Sequence, residues 1–191
     1  MNKKMIRITP SKHQSKGWRL QNICKEYGQK NNSNEKYQRS LVEQITNTNC
    51  TIIKGFRINH TTLQLKQLIN PMTQNGTKIP DGFEWSEDFD GIQTINNTKF
   101  YYNFKFVCGN GGAQTRTLRD ETYNFIKTQL KYLKKFPSTN IIFINILDGD
   151  GSFNSKPHFD YLKNQKKYID ITQKCFIGDM DSFQTWFATN N

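Results

Sequence analysis

The run "NIIFINIL", residues 140–147, constrains the fold more than any other stretch of the chain. It has strand length and an almost unbroken apolar character, so it has to be buried on both faces, as a strand in a helix-covered sheet is. The preceding residues supply such a cover. From near Thr115 to Pro137 the chain reads as one long helix, with Leu118, Thr122, Phe125, Ile126, Leu130 and Leu133 forming an inner stripe. Arg116, Arg119, Tyr123, Lys127, Lys131, Lys134 and Lys135 fall largely outside that stripe, and Pro137 stops the helix.

Upstream, "IQTI" and the aromatic run 99–107 flank a turn at "NNT", which predicts a pair of strands at 91–95 and 99–107. Further back, Ser33 or Asn34 caps a helix in "EKYQRSLVEQI", where Tyr37, Leu41 and Ile45 share a face. "CTIIKGFRI" reads as a strand and "TTLQLKQLI" as a short helix ended by Asn70 and Pro71. Downstream, "DGDGS" reads as a turn, followed by a helix near 157–167, a short strand at "KCFI" and a last helix in "DMDSFQTWF". The expected fold is α/β, a central mixed β-sheet flanked by helices. At 191 residues the chain reads as one domain, with 1–32 as a polar, basic arm or cap.

Lys and Arg total 27 against 16 Asp and Glu, a net charge of +11. An excess of that size attracts polyanions, nucleic acid first among them. No stretch approaches a membrane span, and the N-terminus lacks the apolar core of a secretory signal. Cys24, Cys50, Cys108 and Cys175 are scattered, as are His13, His60 and His158, which disfavours zinc and suits reduced thiols in a cytoplasmic protein.

The aromatic strand carries two residues that are costly to bury. Alternation puts Phe100, Tyr102, Phe104 and Phe106 on one face, and Tyr101, Asn103, Lys105 and Val107 on the other. "EWSEDFDG" just upstream concentrates Glu84, Glu87, Asp88 and Asp90 in an otherwise basic chain. A hairpin turning at Asn96–Asn97 brings Asp90 across from the Asn103–Lys105 region. A carboxylate, a second oxygen ligand and a lysine then meet at one point, a set suited to Mg2+ and a phosphate.

Asp90 followed by "NFK" on a strand resembles the signature of the PD-(D/E)xK nucleases. The longer run "GFEWSEDFDG…GGAQTRTLR…NIIFINILDGDGSF" is similar to type II restriction endonucleases. The resemblance implies the restriction endonuclease-like core and Mg2+-dependent hydrolysis of double-stranded DNA. It implies Asp90, Asn103, Lys105 and a glutamate as the catalytic set, with Mg2+ held by Asp90, by Asn103 or the Phe104 carbonyl, and by that glutamate. Asn103 departs from the family's usual Asp or Glu and brings no charge, so another carboxylate has to help; Glu87, Glu84 and Glu43 are the choices. Gln114, Thr115, Arg116, Arg119 and Lys127 are candidate DNA contacts, Gln suiting adenine and Arg suiting guanine. A homodimer and a companion DNA methyltransferase are expected from the family. The alternatives are a repair or recombination nuclease on the same fold and a non-catalytic nucleic-acid-binding protein.

Overall fold

A computed structural model describes residues 18–28, 32–68, 73–74, 77–78, 80–108, 112 and 116–190. A π-helical turn, Arg19–Ile23, runs into α1 (Cys24–Tyr27), and α2 (Ser33–Thr46) follows. Two small antiparallel ladders come next: β1 (Phe56–Ile58) with β2 (Leu65–Gln67), and β3 (Thr73–Gln74) with β4 (Thr77–Lys78). After a 3-10 turn at Pro80–Glu84 come β5 (Gly91–Ile95) and β6 (Thr98–Phe106). A π-helical segment, Thr117–Thr122, leads into α3 (Tyr123–Lys135), then β7 (Ile141–Asp148) and α4 (Asp150–Lys163). A 3-10 segment, Lys166–Lys174, precedes β8 (Cys175–Gly178) and α5 (Met180–Asn190).

The main sheet has the order β5-β6-β7-β8, antiparallel at the first junction and parallel at the other two. The fold is therefore α/β, a mixed central sheet flanked by helices. Tyr101, Phe143 and Leu147 bury one face against Phe125, Leu130 and Leu133 of α3 and Phe159 of α4. Phe100, Tyr102, Phe104, Ile144 and Ile146 bury the other against Val42 of α2 and Phe183 of α5. The inner stripe expected for the long helix is buried throughout, from Leu118 to Leu133.

Three local expectations need correction. "TTLQLKQLI" is not a helix: the Asn59 side chain accepts the N–H groups of Thr61 and Thr62, Leu63 takes φ 58°, and the chain doubles back to pair β2 with β1. "DGDGS" is not a turn in full. Gly149 alone turns the chain, with φ 94°, and α4 starts at the next residue. A Cβ at Gly149 would strike the Val107 carbonyl, so both the backbone angle and the space require glycine here. "CTIIKGFRI" is a strand only at Phe56–Ile58. On α2, Tyr37, Leu41 and Ile45 share a half-buried face, while Ser33, Gln38, Arg39, Val42 and Thr46 are the buried positions. The helix is rotated to serve polar groups at the sheet's end. The expected N-terminal arm falls largely outside the described residues, as do Asn70 and Pro71.

Amide side chains in the middle of the sheet and on α3 hydrogen-bond to one another. Asn145 Nδ2 donates to Gln129 Oε1 at 2.7 Å, and Gln129 Nε2 donates back to Asn145 Oδ1 at 3.1 Å. Asn103 Nδ2 donates to the same Oδ1 at 3.0 Å, and Asn145 also reaches the Phe176 carbonyl. All three amide residues are 0% exposed. This network ties α3, β6, β7 and β8 together. Asn145→Leu strands the amides of Asn103 and Gln129, so urea unfolding is expected to show a loss of roughly 2–5 kcal/mol with little change in slope.

Candidate active site

Hairpin geometry brings the first members of the site together. Asn96 and Asn97 take φ 48° and 62°, the two positive values a tight two-residue turn requires and asparagine tolerates. The resulting register pairs Gly91 with Tyr102, and the Asp90 N–H donates to the Tyr102 carbonyl at 2.8 Å. There the β5 strand ends and the Asp90 side chain takes over the pairing. Its Oδ2 accepts the Phe104 N–H at 2.7 Å. Among the described residues Oδ1 takes no hydrogen bond.

Lys105 projects beside it, its Nζ 3.1 Å from Glu87 Oε2 and its side chain 23% exposed. Behind the two strands, α2 supplies a polar face. Arg39 Nη2 donates to the Asp90 carbonyl at 2.8 Å, with the guanidinium over the Phe104 ring. Gln38 Nε2 donates to the Lys105 carbonyl at 3.2 Å and to Asp148 Oδ2 at 2.7 Å. Asp148 Oδ1 in turn accepts the Met180 N–H at the start of α5.

Burial pushes the Asp90 carboxyl up to about 7, with Lys105, the Phe104 N–H and Arg39 pulling it back and Glu35 adding to the rise. For Lys105, burial disfavours the charge, but Glu87, Asp90 and Glu35 outweigh it and hold the ammonium above its usual range. Lys105 is therefore a fixed cation at neutral pH. Asp148 is also raised to about 7 by burial, against its bonds from Gln38 and Met180.

Asp90, Phe104, Lys105 and Glu87 are thus brought together. Asn103 is not on the open side: its amide belongs to the core network, and its Oδ1 is buried without a partner. Glu43 spends its carboxylate on the Cys50 N–H at 2.8 Å. The helix glutamate that acts on both Asp90 and Lys105 is Glu35, in the first turn of α2. Glu35, Gln38 and Arg39 follow i, i+3, i+4 spacing, visible in the sequence, yet a polar stripe of that kind reads as a solvent face. Arg116 and Arg119 are exposed and Lys127 is half-buried. Gln114 and Thr115 lie outside the described residues.

Among the described residues no three Asp, Glu, His or Cys side chains are grouped as a ready cation cage. Asp90, Glu87 and Glu35 are the carboxylates that could hold a hydrated Mg2+, which keeps several waters and needs few protein ligands. A depression of about 280 Å3 beside Glu87 is lined also by His60, Phe83, Asp120 and Glu121. A larger cavity, about 530 Å3, lies between α4 and α5 and includes none of these residues. None of the four cysteines is in a disulfide, and among the described residues no helix is long and apolar enough to cross a membrane. No family model, curated protein or solved structure matches the chain.

The Asp90 shift carries a stability consequence with a definite sign. Its folded value of about 7 lies above the ordinary 3.8, so its contribution is fully present below 3.8 and is lost as pH rises through 7. Asp90→Asn lacks this loss. Its unfolding midpoint is expected to exceed that of the wild type at about pH 8, with the gain shrinking toward about pH 4.

Proposed function

We propose that the chain is a Mg2+-dependent endonuclease of the PD-(D/E)xK type, acting on double-stranded DNA as a type II restriction enzyme. The observation that carries this reading is the Asp90 carboxylate held on the Phe104 N–H, next to the half-buried cation Lys105, at the end of adjacent strands. A hairpin bearing Asp90 and Lys105, followed by a helix and a returning parallel strand, is compatible with the restriction endonuclease-like core. Asp90, with Glu87 or Glu35 and water, would hold the ion, with Asn103 closed into the core.

Bound Mg2+ would polarise the phosphate and lower the pKa of a coordinated water. Lys105 keeps its proton at neutral pH, so it serves as a charge rather than a base. It orients the attacking water and steadies the negative charge that builds on the phosphate. Arg39 and the Phe104 N–H hold Asp90 in place from behind. Arg116 and Arg119 begin the helix that follows β6, at the same end of the sheet as Lys105, where they can meet phosphates or base edges. Gln114 and Thr115 belong to the same proposed contact, and two-fold DNA sites would suit a homodimer. A second reading, a DNA-binding protein without catalysis, is favoured by one fact: the Asn103 amide brings no charge and is committed to Asn145.

Incubation of long DNAs with and without Mg2+ separates the two. Discrete, Mg2+-dependent fragments are expected; a salt-sensitive mobility shift with no cutting under Mg2+ or Mn2+ would select the binder. Lys105→Ala is expected to lower cleavage at least ~100-fold while sparing DNA binding. Glu35→Gln is expected to impair cleavage more than Glu43→Gln, read from single-turnover rates.

A further inference from the structure

The helix that covers the sheet carries charge far beyond the Asp90–Lys105 end. The stretch Tyr123–Lys135 contains no Asp or Glu, and Lys131 and Lys134 lie on its exposed side, continuing from Lys127. The 3-10 segment Lys166–Lys174 packs against α3 and adds Lys166, Lys167 and Lys174, with Asp170 its only carboxylate. The two segments are joined by their lysines. Lys134 Nζ donates to the Lys167 carbonyl at 2.9 Å, and Lys174 Nζ donates to the carbonyls of Pro137 at 2.6 Å and Thr139 at 2.9 Å. Among the described residues none of these lysines forms an ion pair with a carboxylate. Main-chain carbonyls orient two of the ammoniums and leave their charge uncompensated.

This surface lies at the opposite end of the sheet from Lys105. The Lys99 N–H donates to the Asn140 carbonyl, marking the end where β6 and β7 begin, next to the Pro137–Thr139 turn. From Lys99 to Lys105 the strand rises about 20 Å. That span corresponds to roughly six base pairs of duplex.

We propose that Lys131, Lys134, Lys166, Lys167 and Lys174 form a second polyanion surface that grips the phosphate backbone of duplex DNA flanking the cleaved site. The choice of DNA rests on the nuclease reading; the demand for a polyanion rests on the uncompensated charge. The contact is with phosphates, so it adds affinity without sequence preference.

The test measures binding of an about 30-base-pair labelled duplex in EDTA, where nothing is cut, across a salt titration. Each phosphate contact contributes about 0.9 to the slope of log affinity against log salt. The variant K131A/K134A/K166A/K167A is expected to lower the slope by about 2–4, and the matching Lys→Arg variant to retain it. A quadruple Ala variant that melts like the wild type and keeps the wild-type slope would overturn the surface, as would wild-type protein that binds no duplex at low salt. Cleavage assayed in parallel with Mg2+ separates the two proposals. A lowered slope without any cutting sinks the nuclease and keeps the surface, whereas cutting with an unchanged slope does the reverse.

Discussion

Parallel pairing of β6 with β7 is the constraint from which the rest of the structure follows. Two adjacent parallel strands need a crossover, and α3 is that crossover, packed on the face it has to cover. Burial on both faces leaves no solvent for polar atoms in mid-strand, so Asn103 and Asn145 find each other and Gln129. Parallel strands also end at the same side of the sheet. Lys105 and Asp148 therefore finish close together, near enough for the Gln38 amide to bond to both.

Onto this frame the hairpin adds its carboxylate. Asp90 stands where backbone pairing gives out, and its side chain replaces the missing ladder partner. The same placement buries it, which raises its proton affinity and works against the folded state at neutral pH. A purely structural acceptor could be an amide at less electrostatic cost. Charge is also sorted along the sheet. Acidic groups from Glu35 to Asp148 gather where the parallel strands end, and unpaired lysines gather where they begin.

The elements legible in the sequence were those with one dominant period. The strand Ile141–Asp148, the inner stripe of α3 and the aromatic strand could be read because apolar burial decided them. Residues 61–68 resist a reading by period because Leu63, Leu65 and Leu68 fit a short helix as well as a turn and strand. The choice fell to the Asn59 side chain and to pairing with Phe56–Ile58, neither of which periodicity registers. At the site, the meeting of Asp90 with Lys105 was legible because a two-residue Asn turn fixes the register. The commitment of Asn103 to Asn145 was not, since it depends on which strand lies on the far side. Glu35, Gln38 and Arg39 were missed for a related reason. Their inward face is polar because it serves carbonyls and carboxylates at the sheet's end, and the sequence offered Tyr37, Leu41 and Ile45 as the more hydrophobic choice.

Gly149 has an implication for how this molecule can change over generations. At Gly149 any single-base missense change adds a side chain facing the Val107 carbonyl in a backbone conformation hostile to it. Either the Val107 carbonyl or the start of α4 at Asp150 would have to shift to make room. A residue with no side chain at all is therefore among the least replaceable in the chain.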